Sequence, residues 1–226
     1  MTYKNTCKGL FHTRPNRFIA HVEMAGKIER AHVKNTGRCK ELLLPGAQVI
    51  LQRAENPQRK TPYDLIAVWK GNRLINIDSS APNKVFLEYL QSGAYMAGIT
   101  RIKPEARYGD SRFDFYIEAG QRKIFIETKG VTLEEDGVVL FPDAPTQRGV
   151  RHLQELTRCL REGYEAQVVF VVQMGHVRYF SPNYKTHPAF GQALASAMEA
   201  GVKAMALDCV VTEDRLSIGK PVELRL

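Results

Sequence analysis

The sequence predicts an α/β-plus-β protein in two parts, a small β-barrel followed by a mixed α/β domain. Short β-type runs fill residues 11–78, whereas strand and helix patterns alternate after residue 82. The charge changes at the same place: residues 1–82 hold 14 Lys and Arg against 6 Asp and Glu, and residues 83–226 hold 18 of each class. We therefore predict two domains, residues 1–82 and residues 83–226.

Residues 11–78 contain apolar runs separated by turn residues, which is the pattern of a small barrel. Glycine and proline, as in Pro45-Gly46 and Gly71, mark the turns. The predicted strands are residues 17–22, 29–33, 47–51, 64–68 and 74–77. A connector near residues 78–83 then leads into a predicted helix at residues 85–90, which places the domain boundary close to residue 82.

The second part begins with a predicted hairpin, residues 112–116 and 123–129, joined by a link that contains Gly120. The later elements are a helix at residues 146–162, an apolar strand at 167–172, a helix at 190–200 and a strand at 203–211. Thr146 is the expected N-cap of the first of these helices. The buried stripe of that helix is expected to comprise Val150, Leu153, Leu156 and Leu160.

The hairpin carries the residues that point to chemistry. Side chains alternate along a strand, so Glu127 and Lys129 share a face, and Asp114 projects opposite to Phe113 and Phe115. Folding the hairpin brings Asp114 near Glu127, which gives two carboxylates suited to Mg²⁺ or Mn²⁺ beside the Lys129 ammonium. Such a site would hydrolyse a phosphodiester, because the metal screens phosphate charge and acidifies a water that the lysine orients.

The alternative is that these residues form the solvated side of an amphipathic hairpin, with Arg112 paired to Glu127. A spacing of one Asp, one Glu and one Lys also arises often by chance. A second cluster at residues 141–149 favours the functional interpretation, because it leads directly into the helix that holds His152.

Several stretches of the chain resemble the sugar fermentation stimulation protein A family. They are residues 111–115, 126–129 and 141–149 followed by His152-Leu153, together with residues 33–43 and 56–61. The resemblance implies an OB-type barrel joined to a PD-(D/E)xK nuclease-like domain, in DNA-binding proteins linked to sugar (maltose) metabolism genes. The chain departs from the family pattern at Phe113, usually proline, at Thr128, often valine, and at Gln147, often glutamate.

The candidate catalytic residues come from the hairpin and its surroundings. Asp114 and Glu127 are expected to ligate the metal and Lys129 to help the attacking water. Glu88, on the preceding helix, is the candidate for a third carboxylate. The resemblance implies that the same cleft also contains Asp143, Arg148 and His152. His152 has the alternative of being a hydrogen-bonded structural histidine.

The basic first part is predicted to bind nucleic acid, with DNA preferred, through phosphate contacts and base stacking on Phe18 and Tyr63. The candidate phosphate-binding residues are Arg14, Arg17, Arg38, Lys40, Arg59, Lys60 and, in the second part, Arg112. For each of them the alternative is a solvated surface charge, and for Phe18 it is a core residue. A homodimer is compatible with the sequence, which does not specify one.

Composition excludes several classes of protein. The four cysteines are scattered with no CxxC pair, which argues against a zinc knuckle or a disulfide framework. No apolar run approaches the ~18 residues of a membrane span, and the N-terminal residues lack the apolar core of a secretion signal, so we expect a cytoplasmic protein. Two functions remain, a Mg²⁺-dependent nuclease and a DNA-binding regulator that does not cleave. A sugar-handling enzyme is disfavoured because no phosphate-binding glycine loop is present.

Overall fold

The structure, a computed structural model, describes residues 1–35, 37–109 and 111–226; Thr36, in one of the family-like stretches, lies outside the described residues. Within them, five strands close into a barrel: β1 (Thr6–Asn16), β2 (Ile19–Met24), β3 (Lys27–Val33), β4 (Gln48–Arg53) and β5 (Tyr63–Lys70). Strand β1 pairs with both β2 and β4, and a parallel pairing of β3 with β5 closes the ring. The predicted barrel is confirmed.

The barrel differs from the prediction in which strands form it. The first strand, β1, was missed because Gly9, Pro15 and its many polar residues obscure the alternation. Gly9 is needed there, since an added Cβ would lie 2.4 Å from Cγ1 of Val22. The predicted strand at residues 74–77 is β6 (Arg73–Asn76), which pairs with the second half of β5 rather than closing the ring.

The second part is built on a mixed sheet with helices on both faces. Its elements in chain order are α1 (Ala81–Gln91), β7 (Ile99–Tyr108), β8 (Ser111–Ala119), β9 (Arg122–Val131), β10 (Leu133–Glu135), β11 (Val138–Phe141), α2 (Gln147–Arg161), β12 (Glu165–Val172), β13 (Tyr179–Pro182), α3 (Pro188–Glu199), β14 (Lys203–Val211) and β15 (Leu216–Val222). The sheet order is β15-β14-β12-β9-β8-β7, with β9, β12 and β14 parallel. Strands β10, β11 and β13 form a smaller sheet.

Each face of the main sheet has its own helical cover. Helix α1 packs on one face through Val85 and Phe86, in a cluster with Ile124 and Ile126 of β9. Helices α2 and α3 pack on the other face. Thr146 caps α2 as predicted, because its hydroxyl accepts a hydrogen bond from the Gly149 N–H at 3.0 Å. Of the predicted stripe on α2, Leu153 and Leu156 are fully buried, and Val150 and Leu160 are partly buried.

Strand β7 was missing from the sequence prediction. It is the edge strand of the main sheet, and most of its residues are exposed. Its charged side chains and Pro104 protect an open edge from pairing with other chains, and they also remove the apolar alternation by which a strand is recognised.

The two parts of the chain are packed together by buried polar contacts. Lys70 and Arg73 pair with the buried Glu134, and Nε2 of the buried Gln173 donates to Oδ1 of Asn76 at 2.9 Å and to the Asp78 carbonyl at 3.0 Å. Tyr3 reaches across to the second part, where its N–H donates to the Asp214 carbonyl. The predicted domain boundary at residue 82 falls in the first turn of α1. Within the described ranges, no helix is both long and apolar enough to cross a bilayer.

Candidate active site

The hairpin brings Asp114 and Glu127 together where the pairing of its strands ends. Strand β8 pairs with β9 as far as Phe115 opposite Ile126, and Asp114 and Glu127 are the next residues along. Instead of a ladder bond, the Thr128 N–H donates to Oδ2 of Asp114 at 2.8 Å, and the Thr128 hydroxyl oxygen lies 2.8 Å from the same oxygen. The carboxylate of Asp114 thus takes the place of backbone pairing at this point.

Phe113 and Phe115 do not share a face, which corrects the sequence prediction. The Phe115 ring lies 5.6 Å from Phe86 on the α1 side of the sheet. The Phe113 ring lies 5.4 Å from Phe125 and packs against His152 on the α2 side. Strand β8 therefore turns over at Asp114, where it leaves its partner, and strict alternation does not hold across that residue.

Glu127 is buried and its two carboxylate oxygens have different surroundings. Oε1 lies 2.5 Å from the Lys129 ammonium and is also in contact with Nδ1 of His152. Oε2 is buried, and no hydrogen-bond partner for it is found within the described part of the chain. A buried carboxylate oxygen without a partner is costly, so Oε2 is suited to a ligand that the protein itself does not supply.

The geometry around His152 determines where its proton lies. Nε of Arg148 donates to Nε2 of His152 at 3.2 Å, and a guanidinium nitrogen can only donate. Nε2 must therefore be the accepting nitrogen, and the ring proton lies on Nδ1, facing Glu127. His152 is 6% exposed, and it links the exposed Arg148 to the buried carboxylate.

The protein shifts the pKa values of the two carboxylates in opposite directions. Burial, and then the nearby negative charge of Glu127, raise the pKa of Asp114, although bonds from Thr128 and Asn83 oppose the shift. Burial alone would raise the pKa of Glu127, but the hydrogen bond from His152 and the charge of Lys129 outweigh it and lower that pKa. A divalent cation would relieve the repulsion between the buried carboxylate of Glu127 and the partly buried carboxylate of Asp114.

The oxygen atoms of Asp114 and Glu127 match the ligands that a divalent metal ion requires. Asp114 and Glu127 offer hard oxygen ligands of the kind that Mg²⁺ prefers, and Oε2 of Glu127 has a free position. In the ranges that the structure describes, no group of three or more His, Cys, Asp and Glu converges on one point. The residues thus fit an ion held by two carboxylates, with water in its remaining positions, as is usual for Mg²⁺.

Glu88 is not part of this cluster, contrary to the sequence prediction. Its carboxylate lies 2.5 Å from the N-terminal ammonium of Met1. Asn83 occupies the position that was expected for Glu88. Nδ2 of Asn83 donates to Oδ1 of Asp114 at 2.7 Å, and Oδ1 of Asn83 accepts from the Thr128 hydroxyl at 2.5 Å. Five residues along a helix change the facing direction by about 140°, so Glu88 cannot share the Asn83 face. Asn83 was not predicted from the sequence, where its only signal is that it is a polar residue in the first turn of the helix before the sheet.

Asp143 also lies apart from Glu127. It is exposed, and an added Cβ on Gly37 would lie 2.6 Å from its Oδ2. It lines a neighbouring cavity of about 360 Å³, which also includes Gly130, the residue after Lys129. Asp143 therefore belongs to the wall of that cavity, beside the carboxylate pair but not within it.

Three of the predicted phosphate-binding arginines are engaged within the protein. The Arg14 guanidinium donates to the carbonyls of Arg17, Asn35, Gly37 and Arg38. Arg59 binds both carboxylate oxygens of Asp64, at 2.7 and 3.1 Å. Arg112 pairs with Glu105 at 2.8 Å, so it does not pair with Glu127 as the alternative interpretation supposed.

The remaining basic candidates are at the surface. Arg17, Arg38, Lys40 and Lys60 are exposed, and the first three line a cavity of about 330 Å³. The Arg17 guanidinium lies 4.6 Å from the centre of the Phe18 ring. Phe18 is 43% exposed, so it is a surface aromatic and not the core residue of the alternative interpretation.

Comparisons with known proteins match both parts of the chain. The family model described as the SfsA N-terminal OB domain matches residues 13–77. The model described as the sugar fermentation stimulation protein RE domain matches residues 80–215. The barrel is accordingly of the OB type, and the α/β part corresponds to the RE domain.

Relatives of similar length match along the whole chain. The sugar fermentation stimulation protein homolog of Desulfitobacterium hafniense strain Y51 is 61% identical, over 100% of this chain and 99% of its own. The homolog of Ruminiclostridium cellulolyticum is 57% identical over 100% of both chains. A solved structure, described as Pyrococcus furiosus SfsA in complex with Ca²⁺, is 31% identical with a TM-score of 0.89, and the match covers 100% of this chain and 98% of that one. The chain belongs to the sugar fermentation stimulation protein family.

Proposed function

We propose that this protein is a metal-dependent nuclease that hydrolyses phosphodiester bonds of nucleic acid, with DNA as the preferred substrate and Mg²⁺ or Mn²⁺ as the cofactor. The observation that carries the proposal is the buried Oε2 of Glu127, which has no partner among the described residues and neighbours a second, partly buried carboxylate, Asp114. An unsatisfied oxygen beside a like charge destabilises the fold. A divalent cation bound at this point would give Oε2 a partner and would relieve the repulsion between the two carboxylates.

The roles of the residues follow from their contacts. Asp114 and Glu127 would hold the metal, which supplies charge screening for the phosphate and lowers the pKa of a bound water. Lys129, 2.5 Å from Oε1 of Glu127, places a positive charge beside the carboxylate, where it can orient that water or meet the phosphate. His152 and Lys129 hold Oε1 and so leave Oε2 for the metal.

Arg148 is suited to binding the phosphate. Its Nε is engaged by His152, and its side chain is exposed at the start of α2. The two terminal nitrogens of the guanidinium therefore remain available for a pair of phosphate oxygens. The exposed cations on the barrel, Arg17, Arg38 and Lys40, would contact the backbone of the same strand further along.

The comparison with the Pyrococcus furiosus protein supports a divalent cation, since that structure is described as a Ca²⁺ complex. Ca²⁺ and Mg²⁺ share a preference for carboxylate oxygens, and Mg²⁺ demands fewer protein ligands because it retains several waters. A site with two carboxylates is consistent with such an ion.

A nucleic-acid-binding protein that does not cleave, acting as a regulator of sugar-metabolism genes, is the second candidate. Two observations favour it: the site has only two converging acids within the described residues, and one oxygen of Glu127 is already engaged by Lys129 and His152. In that case Lys129 would replace the metal as the counter-charge.

A cleavage assay separates the two candidates. Supercoiled plasmid, linear duplex, single-stranded DNA and RNA are incubated with Mg²⁺ or Mn²⁺ and the wild-type protein, Asp114→Asn, Glu127→Gln or Lys129→Ala. For the nuclease we expect cleavage by the wild type and a loss of about 100-fold or more in each variant, because each removes a group that stabilises the transition state.

Binding measured with the metal removed by EDTA provides the control for this assay, since the variants should retain the affinity that the barrel supplies. Glu199→Gln, which removes an exposed carboxylate at the end of α3 and outside the cluster, is the matched variant and should cleave normally. If wild type and variants all bind nucleic acid and none releases a product from any substrate, the regulator is the correct assignment.

A further inference from the structure

The cavity that contains Asp143 and Gly130 is built from both parts of the chain. Asn35 and Gly37 come from the barrel side, Gly130 follows Lys129 on β9, and Phe141 and Asp143 come from the segment before α2. Gly130 lies three positions beyond Glu127 along an extended strand, which is about 10 Å. The cavity is therefore within reach of a nucleotide that neighbours a phosphate at the carboxylate pair.

The position of the cavity is one that ligands commonly use. Strands β9 and β12 are parallel, and the cavity lies past their carboxyl ends, between Gly130 on β9 and Gln173 just after β12. Ligands of α/β sheets bind outside the carboxyl ends of parallel strands. Its volume of about 360 Å³ is at the lower end of the usual range for small-molecule sites.

Phe141 supplies a rigid aromatic surface on one side of the cavity. Its ring lies 5.0 Å from the Phe190 ring and 5.7 Å from the Phe170 ring, so its orientation is fixed by two buried neighbours. The Phe141 side chain is only partly buried and is part of the cavity wall. A flat ring that enters the cavity can stack on it without ordering a flexible side chain.

Hydrogen-bond acceptors face the same space. Gln173 is 2% exposed, and its Nε2 donates to Oδ1 of Asn76 at 2.9 Å and to the Asp78 carbonyl at 3.0 Å. These bonds direct Oε1 towards Gly130, where an added Cβ would lie 2.7 Å from it. Asp143 adds an exposed carboxylate at the rim. A ring that carries N–H donors would satisfy both acceptors.

The barrel wall of the cavity is preformed by Arg14. Its guanidinium binds the carbonyls of Asn35 and Gly37 at 2.8 and 2.9 Å, and Oδ1 of Asn35 accepts from the Gly37 N–H at 2.7 Å. Preorganised walls lower the entropic cost of binding. The Arg14 guanidinium, which the sequence predicted to bind phosphate, therefore holds Asn35 and Gly37 in place in the cavity wall.

We infer that this cavity binds one unpaired nucleobase that carries an exocyclic amine, stacked on Phe141 and hydrogen-bonded to Asp143 and Gln173. The inference rests on the proposed nuclease function and specifies its substrate. A base can enter only if it is not paired, so the substrate is single-stranded or locally opened nucleic acid. Cytosine, whose N4 amine donates to a carboxylate, is favoured over thymine, which presents an acceptor oxygen at that edge.

The test measures binding and needs no cleavage. Fluorescence anisotropy, with EDTA and at constant salt, gives the affinity for single strands of about 12 nucleotides made of cytosine alone or thymine alone. We expect the wild type to bind the cytosine strand about fivefold to tenfold more tightly. Asp143→Asn should abolish or reverse this preference, because an amide can also donate to the thymine oxygen.

Two further variants complete the design. Asp136→Asn removes the same charge from an exposed turn between β10 and β11, and it should keep the cytosine preference. Phe141→Leu should weaken binding of both strands by about tenfold through the loss of stacking. An equal affinity of the wild type for the two strands would overturn the inference, as would a preference that Asp143→Asn leaves unchanged.

The outcomes also distinguish this inference from the proposed function. Tight binding of fully paired duplex, with no binding of either single strand, overturns the base-binding cavity and leaves the nuclease proposal standing. If neither duplex nor single strands of any composition bind, both are overturned.

Discussion

Asn83 is the site residue whose importance only the folded structure reveals. It donates to Asp114 at 2.7 Å and accepts from the Thr128 hydroxyl at 2.5 Å, so it fixes the orientation of a carboxylate that we propose holds the metal. Groups that orient metal ligands affect affinity even though they do not touch the metal.

Asn83→Ala should weaken Mn²⁺ binding about tenfold or more, measured by calorimetric titration of the metal into the protein. The physical reason is that Asp114 loses the bond that holds Oδ1 in place. Asn72→Ala, in an exposed turn of the barrel part, is the control and should bind Mn²⁺ as the wild type does. An unchanged affinity in Asn83→Ala would show that the Thr128 bonds alone are sufficient.

The sequence specifies this site only where the relevant contacts are local. Asp114, Glu127 and Lys129 could be placed together because a hairpin fixes its own register through a short link. The contact of Asn83 with Asp114 depends on how α1 docks on the sheet, and neither alternation nor spacing contains that information. Glu88 was wrongly placed in the site for the same reason, because the sequence does not show how α1 docks on the sheet. Arg14 was misassigned because the sequence does not show that four backbone carbonyls converge on its side chain.

Among the secondary-structure elements, the pattern of apolar and polar residues identified strands with buried centres but missed exposed strands such as β1 and β7. The strand at residues 203–211 was predicted with the bounds that β14 has in the structure, because most of its residues are apolar and its central residues are buried. Strands β1 and β7 were missed because each has a role that removes the pattern. In β1 a glycine permits close approach to Val22, and in β7 charge and proline protect an edge.

The parallel strands of the sheet are joined at their beginnings by one ion-pair cluster. Glu165, the first residue of β12, receives two hydrogen bonds from Arg122 of β9, at 2.5 and 2.8 Å, and one from Lys203 of β14 at 3.3 Å. The bond from Arg122 is the main reason that the pKa of Glu165 falls from 4.5 to about 2, and Lys203 lowers it further. The charged form of Glu165 is therefore favoured by folding.

Glu165→Gln should lower the free energy of unfolding by up to about 1 kcal/mol near neutral pH, since the pair is partly exposed and screened by solvent. A carboxylate with a lowered pKa in the folded state stabilises it above the unfolded pKa, and this contribution disappears as the pH falls through the folded value. The difference between wild type and variant should accordingly shrink between about pH 4.5 and pH 2.

Urea denaturation across this pH range measures the effect. Glu199→Gln, an exposed carboxylate at the end of α3, serves as the control for the change in net charge. A difference that stays constant from neutral pH to pH 2 would mean that Glu165 contributes by packing and not by its charge.

For the whole molecule, the packing between the parts predicts that they unfold together. Asp78 is fully buried in the connector and receives a bond from Lys34 on the barrel side at 2.6 Å. The Asp78 carbonyl also accepts from Gln173 at the end of β12. Asp78 is thus bonded to both parts of the chain, through its carboxylate to Lys34 and through its backbone carbonyl to Gln173.

Lys34→Met should destabilise the protein by about 3 kcal/mol, because the buried Asp78 carboxylate loses its counter-charge. Part of that loss should return in the double variant Lys34→Met with Asp78→Asn, which no longer buries a charge. Denaturant unfolding followed by two probes gives the measurement. Trp69, the single tryptophan of the chain, reports on the barrel part, and far-ultraviolet circular dichroism reports on the helices of the second part.

The two probes should show one coincident transition in the wild type and in both variants. If the Trp69 signal changes at a lower denaturant concentration than the helical signal, the parts unfold independently and the connector does not couple them. That result would also weaken the assignment of the cavity between them as a preformed site.

The hydrogen bond from Tyr3 to Asp214 has a consequence for how the protein is made. The ribosome releases residue 3 long before residue 214, so the barrel can close early while the contact that seats it against the sheet waits for almost the entire chain. Contacts so distant in sequence form slowly. A nascent chain stalled before β14 would consequently hold a finished barrel that lacks this last contact with the sheet, and it would remain exposed to chaperones and proteases until synthesis resumed.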